Sequence, residues 1–489
     1  MPLQIHNTMS GKKEPFAPRV AGQVKMYVCG PTVYNFLHVG NFRGPIFFNL
    51  VRNWLERSGL AVNYVYNYTD VDDRIIERAA KDGVPSEVVA ERFIREFEAD
   101  FASLKLRPHD ANPRVTQNIG PVVQLIGDLV AAGKAYAKGG EVFYSVRSFP
   151  SYGRLSHKNV DDLRAGARVE IDAKKNDPLD FSLWKPAKPT EPAWPSPWGE
   201  GRPGWHIECS AMIRELLGES IDIHGGGLDL VFPHHENEIA QSEGASGKPF
   251  VKYWMHNNML NFGAQKMSKS LGNVKTVREF LGQYNGEILK YLLLASHYRS
   301  IVEFSEKQIM GAIAGLARIY SALALARSFG DGSAAEGGGA PSPGPLAAVL
   351  SEQTAAIEAA LDDDFNTPEA FAGVYLAIRA FNNGHRRGQK PTDENRASAA
   401  AFSAWVRAHG RVMALFQEPA DEYLRLLDDM LLAQKNLKRA DVDLLVGERS
   451  SARSAKNWAK GDELRDRLQA MGIALQDGAT GTHWEVQKS

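Results

Sequence analysis

Two cysteines and one His–Glu pair are the residues in this sequence best suited to binding a metal ion. Cys29 and Cys209 are the only cysteines among 489 residues. The stretch FPHHENEIAQ (232–241) starts near a proline that suits the first position of a helix. On such a helix His234 and Glu238 share one face at a spacing of four, while His235 with Glu238 is an alternative pair at a spacing of three. One histidine, one carboxylate and two thiolates together make a four-coordinate zinc site.

The same residues also have ordinary structural explanations. A lone cysteine is often a small buried apolar residue. A His–Glu pair on one helical face is often a surface or capping pair. On spacing alone these explanations are favoured, so the metal hypothesis depends on the other residues that share the site.

Two short motifs are suited to binding phosphate groups. HVGN, with His38, Gly40 and Asn41, follows a predicted strand and loop and opens a predicted helix. Backbone N–H groups at such a helix start favour anions. KMSKS places Lys266 and Lys269 on a glycine-flanked loop that can close over a triphosphate. Either motif alone also describes an ordinary loop, but the two motifs in one α/β domain predict a nucleotide site.

Two further stretches are candidates to line the same crevice. HGGGLDL (224–230) puts Gly227 and Asp229 at the end of a predicted strand, where glycines let a ligand approach the backbone closely. A tight turn is the alternative explanation. NYTDVDDR (67–74) offers Thr69 as a substrate contact, while its acidic residues are expected to cap a helix.

The elements that must position these residues alternate along the chain. VKMYVCG (24–30) predicts a strand and FRGPIFFNLVRNWLERSGL (42–60) a helix, followed by a second strand at 61–70 and a second helix from 71. This alternation predicts an α/β fold with a doubly wound, Rossmann-like parallel sheet. In that fold the carboxyl ends of the strands face the ligand crevice.

Changes of pattern along the chain predict five segments and one linker. The segment 329–345 is rich in glycine and proline and is predicted to be a flexible linker. It interrupts a helical-bundle domain that is followed by a small α+β unit. The predicted segments are the first half of the catalytic domain at 1–117, a connective insertion at 118–198, the second half of the catalytic domain at 199–275, the helical domain at 276–432 and the C-terminal unit at 433–489.

Composition and charge exclude several classes of protein. Hydrophobic residues at 44% and charged residues at 24% are typical of globular proteins in water. Two cysteines form no disulfide framework, which favours a reducing compartment. The N-terminal residues lack the apolar stretch of a signal peptide, and no run of about 20 apolar residues predicts a membrane span. We expect a cytoplasmic protein with no membrane contact. The net charge of −1 argues against non-specific coating of nucleic acid but allows a nucleic-acid substrate.

Taken together, the motifs resemble those of the cysteinyl-tRNA synthetases, a class I aminoacyl-tRNA synthetase family. The resemblance covers nearly the whole chain and rests on CGPTVYNFLHVGN, TDVDDR, GWHIECSAM, HGGGLDLVFPHHENE, KMSKSLGN and DDDFNTPEA. It implies one zinc ion bound by Cys29, Cys209, His234 and Glu238, and it implies ATP bound with Mg²⁺ in contact with Lys269. It also implies a helical tRNA-binding domain and a C-terminal anticodon-recognition unit. The implied partners are tRNA(Cys), ATP and L-cysteine, and a monomer is expected.

The implied reaction has two steps and needs no protein nucleophile. The cysteine carboxylate attacks the α-phosphate of ATP, and a terminal ribose hydroxyl of tRNA then takes the cysteinyl group. His38 and Lys269 would stabilise charge at phosphorus, and Lys266 would help to order the loop. Shape alone rejects serine by only about 10²-fold, whereas zinc prefers a thiolate. The remaining contacts are expected from Thr69 and Trp205 to cysteine, and from His38, Gly40, Asn41, Gly227 and Asp229 to ATP. For Trp205, a place in the core is the alternative.

Two other functions remain open from the sequence. A ligase that activates cysteine and transfers it to an amino sugar would share the metal and ATP motifs but would not need the C-terminal unit. A non-catalytic tRNA-binding relative would have lost His38, Lys269 or a metal ligand, and all of these are present. From Lys435 to Arg467, nine Lys/Arg against six Asp/Glu give a net charge of +3, which favours a nucleic-acid partner.

Overall fold

The computed structural model describes residues 2–159, 174–189, 191–262, 265–266, 276–330, 344–478 and 481–488. Its strands β1 to β15 are Gln4–Asn7, Lys12–Pro15, Gln23–Val28, Ala61–Tyr66, Ala135–Lys138, Glu141–Tyr144, Phe181–Pro186, Gly201–Pro203, Ile221–Gly227, Val251–Asn257, Leu260–Phe262, Gln265–Lys266, Val302–Glu303, Ile473–Gly478 and Gly481–Val486. Its helices α1 to α15 are Arg43–Arg57, Asp73–Asp82, Ser86–Ser103, Ile119–Ala131, Ile207–Leu217, Glu236–Ser246, Val277–Leu281, Gly286–Leu294, Glu306–Arg327, Gly344–Asp362, Thr367–Gly384, Asp393–Met413, Ala420–Gln434, Arg439–Ser454 and Trp458–Ala470.

A four-stranded parallel sheet forms the centre of the N-terminal half. The strand order is β10–β9–β3–β4, and all three pairings are parallel. In β3, successive residues Met26 and Tyr27 point to opposite faces and both are fully buried, as expected for a parallel sheet covered by helices on both sides. The chain order changes direction between β3 and β9, which is the switch point where ligands bind in such folds. The predicted doubly wound α/β architecture is confirmed.

The predicted elements around this sheet are confirmed with small shifts of boundary. The strand predicted at 24–30 ends at Val28, and the helix predicted at 42–60 runs over Arg43–Arg57. The hairpin of β1 and β2 was not predicted. Its strands have four residues each and β2 is largely exposed, so the sequence there shows no alternation of apolar and polar residues. The strand that looked like the first of the chain is therefore the third.

The insertion between β4 and β9 folds into helix α4 and an antiparallel sheet. The sheet order is β5–β6–β7–β8. Its last strand pairs Trp184 with Pro203, so this sheet extends past residue 198, where the insertion was expected to end. The insertion packs on helix α6 through the Tyr144 hydroxyl, which donates to the Ala240 carbonyl at 2.8 Å, and through the Ser156 N–H, which donates to Glu236 at 2.8 Å. The insertion therefore supports the helix that carries Glu238.

The C-terminal half is built mainly of helices, with α9 at the centre of the bundle. Helix α9 packs against α8, α11, α12 and α13. Its apolar face is buried and consists of Ile309, Ile313, Leu316, Tyr320 and Leu323. By length and composition α9 could cross a membrane, but 61% of its most apolar window is buried inside the protein. Burial of this kind is typical of the core helix of a bundle, so we assign α9 to the core. The predicted helical domain is confirmed.

The ends of the predicted linker at 329–345 are structured. Phe329 is buried, and its ring packs edge-on against the His385 ring with 5.0 Å between centroids. Helix α10 already begins at Gly344. Residues 331–343 lie outside the described residues. The prediction was therefore too wide, because Phe329 is a core residue inside a stretch of otherwise linker-like composition.

The motif DDDFNTPEA joins the bundle to the N-terminal half through Asp364. This carboxylate is fully buried. It accepts hydrogen bonds from the His6 backbone N–H at 2.8 Å, the Tyr298 hydroxyl at 2.7 Å and Arg299 Nε at 2.9 Å. Buried carboxylates are tolerated where they are paired and hydrogen-bonded in this way. The motif thus has a structural role, away from the substrate cleft.

A buried lysine in α8 predicts a pH-dependent stability of the bundle. Lys290 is 5% exposed and its Nζ donates to the Ala414 carbonyl. Burial lowers the pKa of Lys290 to about 8. Between pH 8 and 10.5 the unfolded chain binds more protons at this lysine than the folded one, so stability rises with pH through that window. The gain is roughly 3 kcal/mol at most.

Comparison of Lys290→Met with the wild type isolates this contribution. Thermal unfolding midpoints are measured for both proteins from pH 7.5 to 10.5. The midpoint of the wild type is expected to rise relative to that of Lys290→Met as the pH increases. The control Lys307→Met removes an exposed lysine of α9 and should give a constant difference. Parallel pH curves for Lys290→Met and the wild type would contradict this assignment.

The last elements form the predicted small α+β unit, which is confirmed. Strands β14 and β15 make an antiparallel hairpin, with Leu475 opposite Trp484. Helices α14 and α15 pack on each other. The side chain of Arg449 is buried and donates to both carboxylate oxygens of Asp477, at 2.8 and 2.9 Å. This bidentate pair ties the hairpin to α14.

Candidate active site and metal centre

A cleft of about 520 Å³ lies at the carboxyl ends of the central strands. Each of the four strands contributes to its wall just after or at its last residue: Cys29 after β3, Asn67 after β4, Gly227 in β9 and Asn257 in β10. The cleft therefore spans the switch point between β3 and β9. This is the place where the parallel-sheet prediction located the ligand crevice.

Four of the sequence-predicted metal ligands come together at the bottom of this cleft. One donor atom from each of Cys29, Cys209, His234 and Glu238 lies within 4.8 Å of every other. The two sulfur atoms are 3.7 Å apart, and Glu238 Oε1 is 3.6 Å from Cys29 Sγ and 3.1 Å from His234 Nε2. Two sulfurs, one imidazole and one carboxylate fit the preferences of zinc. The donor set and its spacing therefore suit a single ion.

A second set of donors shares two of these residues. Cys29, His224, His235 and Glu238 also lie within 4.8 Å of one another. His224 and His235 are fully buried and neither lines the cleft, whereas Cys29, Cys209 and His234 do. The first set thus has three donors at the cleft and the second set has only Cys29, so the first set is better placed to present a metal to a ligand. This geometry favours His234 over the alternative His235 that spacing had left open.

Two further histidines fix the orientation of the donors. His206 Nδ1 is 3.1 Å from His234 Nδ1, which leaves His234 Nε2 directed at Glu238. His224 Nε2 is 2.8 Å from Glu238 Oε2, which leaves Oε1 facing the cluster. Outer partners of this kind orient ligands and tune their basicity. The sequence alone did not identify His206 and His224 as partners of the donors. The available signal was composition, because five of the chain's 13 histidines lie around the cluster, at 206, 224, 234, 235 and 256.

The donors of the cluster differ in protonation state. Burial alone would raise the pKa of Glu238, but His224 and His234 outweigh it and lower this pKa to about 2. A hydrogen bond from Cys29 lowers the pKa of the Cys209 thiol to about 6, against the effect of burial. Burial lowers the pKa of His206 to about 3, so that this imidazole is neutral. Glu238 and Cys209 are therefore the anionic donors at neutral pH. Burial, Cys209 and Glu238 raise the pKa of the Cys29 thiol, while, against the effect of burial, Glu238 and Cys209 raise the pKa of His234 to about 10. Cys29 and His234 would each release a proton when a metal ion binds.

HVGN forms one wall of the cleft and begins a helix, as predicted. Val39–Phe42 is a single helical turn that runs directly into α1. The Asn41 side chain accepts the His38 backbone N–H at 3.1 Å and so closes this turn. His38, Gly40 and Asn41 all line the cleft. The predicted nucleotide-binding residues of this motif are therefore brought to the same cavity as the metal donors.

A buried arginine that the sequence reasoning overlooked holds the wall next to HVGN. The Arg43 side chain is 2% exposed. Its guanidinium donates to the carbonyls of Asn258 at 2.7 Å and Met259 at 3.0 Å. It also donates to the carbonyls of His297 and Ser300. Because Asn258 and Met259 line the cleft, Arg43 fixes that wall relative to α1.

The KMSKS motif lies largely outside the described residues, but both of its ends are anchored at the cleft. Lys269 falls within 267–275, and of Lys266 the structure describes the backbone. Strand β12 pairs Lys266 with Asn261, a residue of the cleft wall. The chain returns at Thr276, which forms a backbone bridge with His38. Thr276, where the described chain resumes, therefore lies beside HVGN.

The glycines near the switch point allow close packing of neighbouring side chains and also leave space for a ligand in the cleft. A Cβ on Gly225 would lie 2.2 Å from the Phe48 ring, and a Cβ on Gly30 would lie 1.7 Å from the Asn67 carbonyl oxygen. At Gly226 it would approach His235 to 2.9 Å. Gly226 and Gly227 line the cleft. Close packing therefore explains why Gly225, the first glycine of HGGG, has no side chain. At Gly227, the last glycine, the lack of a side chain gives access to the cleft.

The remaining predicted contacts also lie at the cleft. Thr69 is 3% exposed and lines it. Trp205 is 37% exposed, and its indole stacks on the His234 ring at 4.6 Å. Asp229 lines the cleft in the turn after β9. Trp205 is thus a wall of the cleft beside the metal donors and is not a core residue.

Protein-family models match three parts of the chain. The model described as tRNA synthetases class I (C) catalytic domain matches residues 15–314. The DALR domain matches residues 356–417, and the cysteinyl-tRNA ligase anticodon binding domain matches residues 439–484. Together these matches follow the order of parallel-sheet half, helical bundle and small C-terminal unit seen in the structure.

Relatives with curated names match over the full length of the chain. A cysteine–tRNA ligase of Bdellovibrio bacteriovorus is 55% identical over 486 residues, covering 99% of this chain and 100% of the relative. A cysteine–tRNA ligase of Geobacter sulfurreducens is 47% identical and covers 100% of both chains. A solved structure of Mycobacterium tuberculosis methionyl-tRNA synthetase has a TM-score of 0.61 at 15% identity, covering 83% of this chain and 94% of that one. The last likeness shows the fold alone.

Proposed function

Since this chain belongs to the cysteine–tRNA ligase family of class I aminoacyl-tRNA synthetases, we propose that it attaches L-cysteine to tRNA(Cys) with ATP, through a cysteinyl-adenylate. The same proposal assigns one zinc ion to Cys29, Cys209, His234 and Glu238. Its purpose there is to distinguish cysteine from serine. The enzyme works in the cytoplasm as a monomer, and Mg²⁺ accompanies ATP.

The observation that carries the proposal is the position of the two cysteine sulfur atoms. Cys29 and Cys209 open into the same cleft as His38 and Asn41. Cys29 also follows β3 at the switch point, where its backbone N–H donates to the Gly225 carbonyl at 3.1 Å. A site for a sulfur atom and a site for a nucleotide are therefore side by side. Cysteine activation needs this arrangement.

The protein residues act by positioning and by stabilising charge. His38 and Lys269 stabilise the charge that develops at the α-phosphate when the cysteine carboxylate attacks it, and Lys266 orders the loop. Gly40, Asn41, Gly227 and Asp229 contact ATP. Thr69 and Trp205 contact cysteine. In the second step, a terminal ribose hydroxyl of tRNA attacks the acyl carbon and AMP leaves.

The donor set accounts for the choice of amino acid. When bound, zinc supplies a Lewis acid that prefers a thiolate to a neutral hydroxyl and lowers the pKa of a thiol. His206 and His224 hold two of its ligands in place, and Trp205 covers His234. A pocket built on shape alone gives only about 10²-fold discrimination between near-isosteres. The four donors thus replace an editing step.

The domains follow the order of the matched family models. We assign the catalytic domain to 1–117 and 204–275, with the insertion at 118–203, because its last strand ends at Pro203. The helical tRNA-binding domain is assigned to 276–432 and the anticodon-recognition unit to 433–489. The net positive charge from Lys435 to Arg467 in the last unit favours contact with an RNA backbone.

The test is transfer of labelled amino acid to total tRNA by purified protein of measured zinc content, with ATP and Mg²⁺. We expect cysteine to be loaded and serine to be rejected. Cysteine-dependent exchange of pyrophosphate into ATP without any loading of tRNA would contradict the proposal and would point to a ligase acting on an amino sugar. Equal loading of serine would contradict the role given to the metal.

A further inference from the structure

The cleft carries little positive charge for a site that must receive several phosphate groups. Among the described residues that line it, Arg74 is the one lysine or arginine. The two motif lysines fall in the part whose side chains are not described. Arg74 is the second residue of α2, and 48% of its side chain is exposed. Its role is not explained by the metal donors or by HVGN.

The guanidinium of Arg74 is held in one orientation from three sides. Nη2 donates to Thr32 Oγ1 at 2.8 Å, and Nε donates to Asp72 Oδ1 at 2.9 Å. The group also lies over the Tyr34 ring, 5.0 Å from its centroid. A guanidinium has five N–H donors in a planar fork. These contacts therefore orient the group and leave some of its N–H donors available for a ligand. Orientation of this kind suits recognition of a phosphate.

Arg74 lies at one outer edge of the central sheet. It follows β4, whereas the strands that carry KMSKS follow β10, and β4 and β10 are the two outer strands. Thr32, its hydrogen-bond partner, forms a backbone bridge with Thr69. The position is therefore at the Thr69 edge of the cleft.

The start of α2 also touches the insertion. Asp73, next to Arg74, forms ion pairs with Lys185 and Arg202 of the insertion sheet. Arg74 thus sits where the insertion meets the mouth of the cleft. A polymer that enters the cleft along the insertion would pass this side chain before it reaches the amino acid.

We propose that Arg74 binds a phosphodiester group of the 3′-terminal nucleotides of tRNA and so positions the ribose hydroxyl for the transfer step. This inference rests on the proposed function. In that step the ribose oxygen forms a bond to the acyl carbon, the bond from this carbon to the adenylate phosphate oxygen breaks, and the hydroxyl proton leaves with AMP. Arg74 supplies a charged contact and transfers no proton.

The first experiment separates the two partial reactions in Arg74→Gln and Arg74→Lys. Exchange of pyrophosphate into ATP should stay near the wild-type rate. Single-turnover transfer from preformed adenylate to tRNA should slow by about 10- to 100-fold in Arg74→Gln, the range for a lost charged hydrogen bond, and by less in Arg74→Lys. The control is Arg78→Gln, one turn further along α2, where the side chain pairs with Asp82 and does not line the cleft. It should leave both reactions unchanged.

The second experiment removes the charge from the tRNA instead. A tRNA with a neutral methylphosphonate at one 3′-terminal linkage should slow the wild type by a similar factor and should not slow Arg74→Gln further. A fall of pyrophosphate exchange in Arg74→Gln equal to the fall in transfer would assign the contact to ATP and overturn the proposal. Wild-type transfer by Arg74→Gln would also overturn it. Failure of the proposed function is distinguishable, because the wild type would then load no cysteine on tRNA.

Discussion

Replacement of Cys209 by serine is expected to release most of the bound metal and to lower kcat/KM for cysteine by at least about 10²-fold. Loss of an outer partner of a metal ligand already costs 10- to 100-fold, and Cys209 is a direct donor of the cluster. The KM for ATP should change little, because HVGN and the wall held by Arg43 do not contact Cys209 in the described part of the cleft. Zinc content by elemental analysis and pyrophosphate exchange with each substrate varied measure these effects.

The same variant should also lose its preference for cysteine over serine. With the thiol-selective site gone, discrimination should fall toward the value of about 10²-fold that shape alone provides. Met212→Leu is the matched control, because Met212 is equally buried on α5 but is not part of the donor cluster, and a swap of similar volume costs little stability. A metal-free Cys209→Ser protein with full activity and full selectivity would remove the sulfur-sensing role from this cluster.

Replacement of Lys269 by alanine is expected to reduce pyrophosphate exchange by about 10²- to 10³-fold, the usual cost of losing one group that stabilises transition-state charge. The anchored ends of its loop support this: Lys266 pairs with Asn261, and Thr276 bridges His38. The described residues on both sides of 267–275 therefore lie next to residues of the cleft wall. Because this lysine acts in activation, the affinity for tRNA should be nearly unchanged.

A comparison with Lys248→Ala controls for loss of a lysine as such, since Lys248 forms an exposed ion pair with Glu219 and does not line the cleft. That variant should behave as the wild type in exchange, in transfer and in filter binding of tRNA. Survival of exchange in Lys269→Ala would show that the loop does not contribute charge to the activation step.

The fold and the main donors could be predicted because their signals are local. The alternation of strand and helix placed Cys29 at a strand end, and the spacing of His234 and Glu238 placed both on one helical face. The carboxyl ends of parallel strands lie at one edge of the sheet. Cys29 and Gly227 are both at strand ends and therefore lie at the same edge. The sulfur of Cys209 joined them because α5 packs against α6.

The residues that were missed act through contacts between distant parts of the chain. His224 reads as part of a buried strand, and its bond to Glu238 depends on how β9 packs on α6. Arg43 looks like an ordinary helical arginine, yet it holds carbonyls more than 200 positions away. The sequence assigns no role to Arg74, because its place in the cleft follows from the position of α2 and not from its neighbours in sequence.

The most direct test of the central claim is X-ray absorption at the zinc edge, recorded on the purified protein alone, with L-cysteine and with L-serine. The account predicts about one zinc per chain, bound by sulfur and by lighter atoms, with the number of zinc–sulfur bonds rising when cysteine is added and unchanged with serine. A protein that holds no zinc, or a spectrum that cysteine does not alter, would contradict the role of Cys29, Cys209, His234 and Glu238 as the sensor of the substrate thiol.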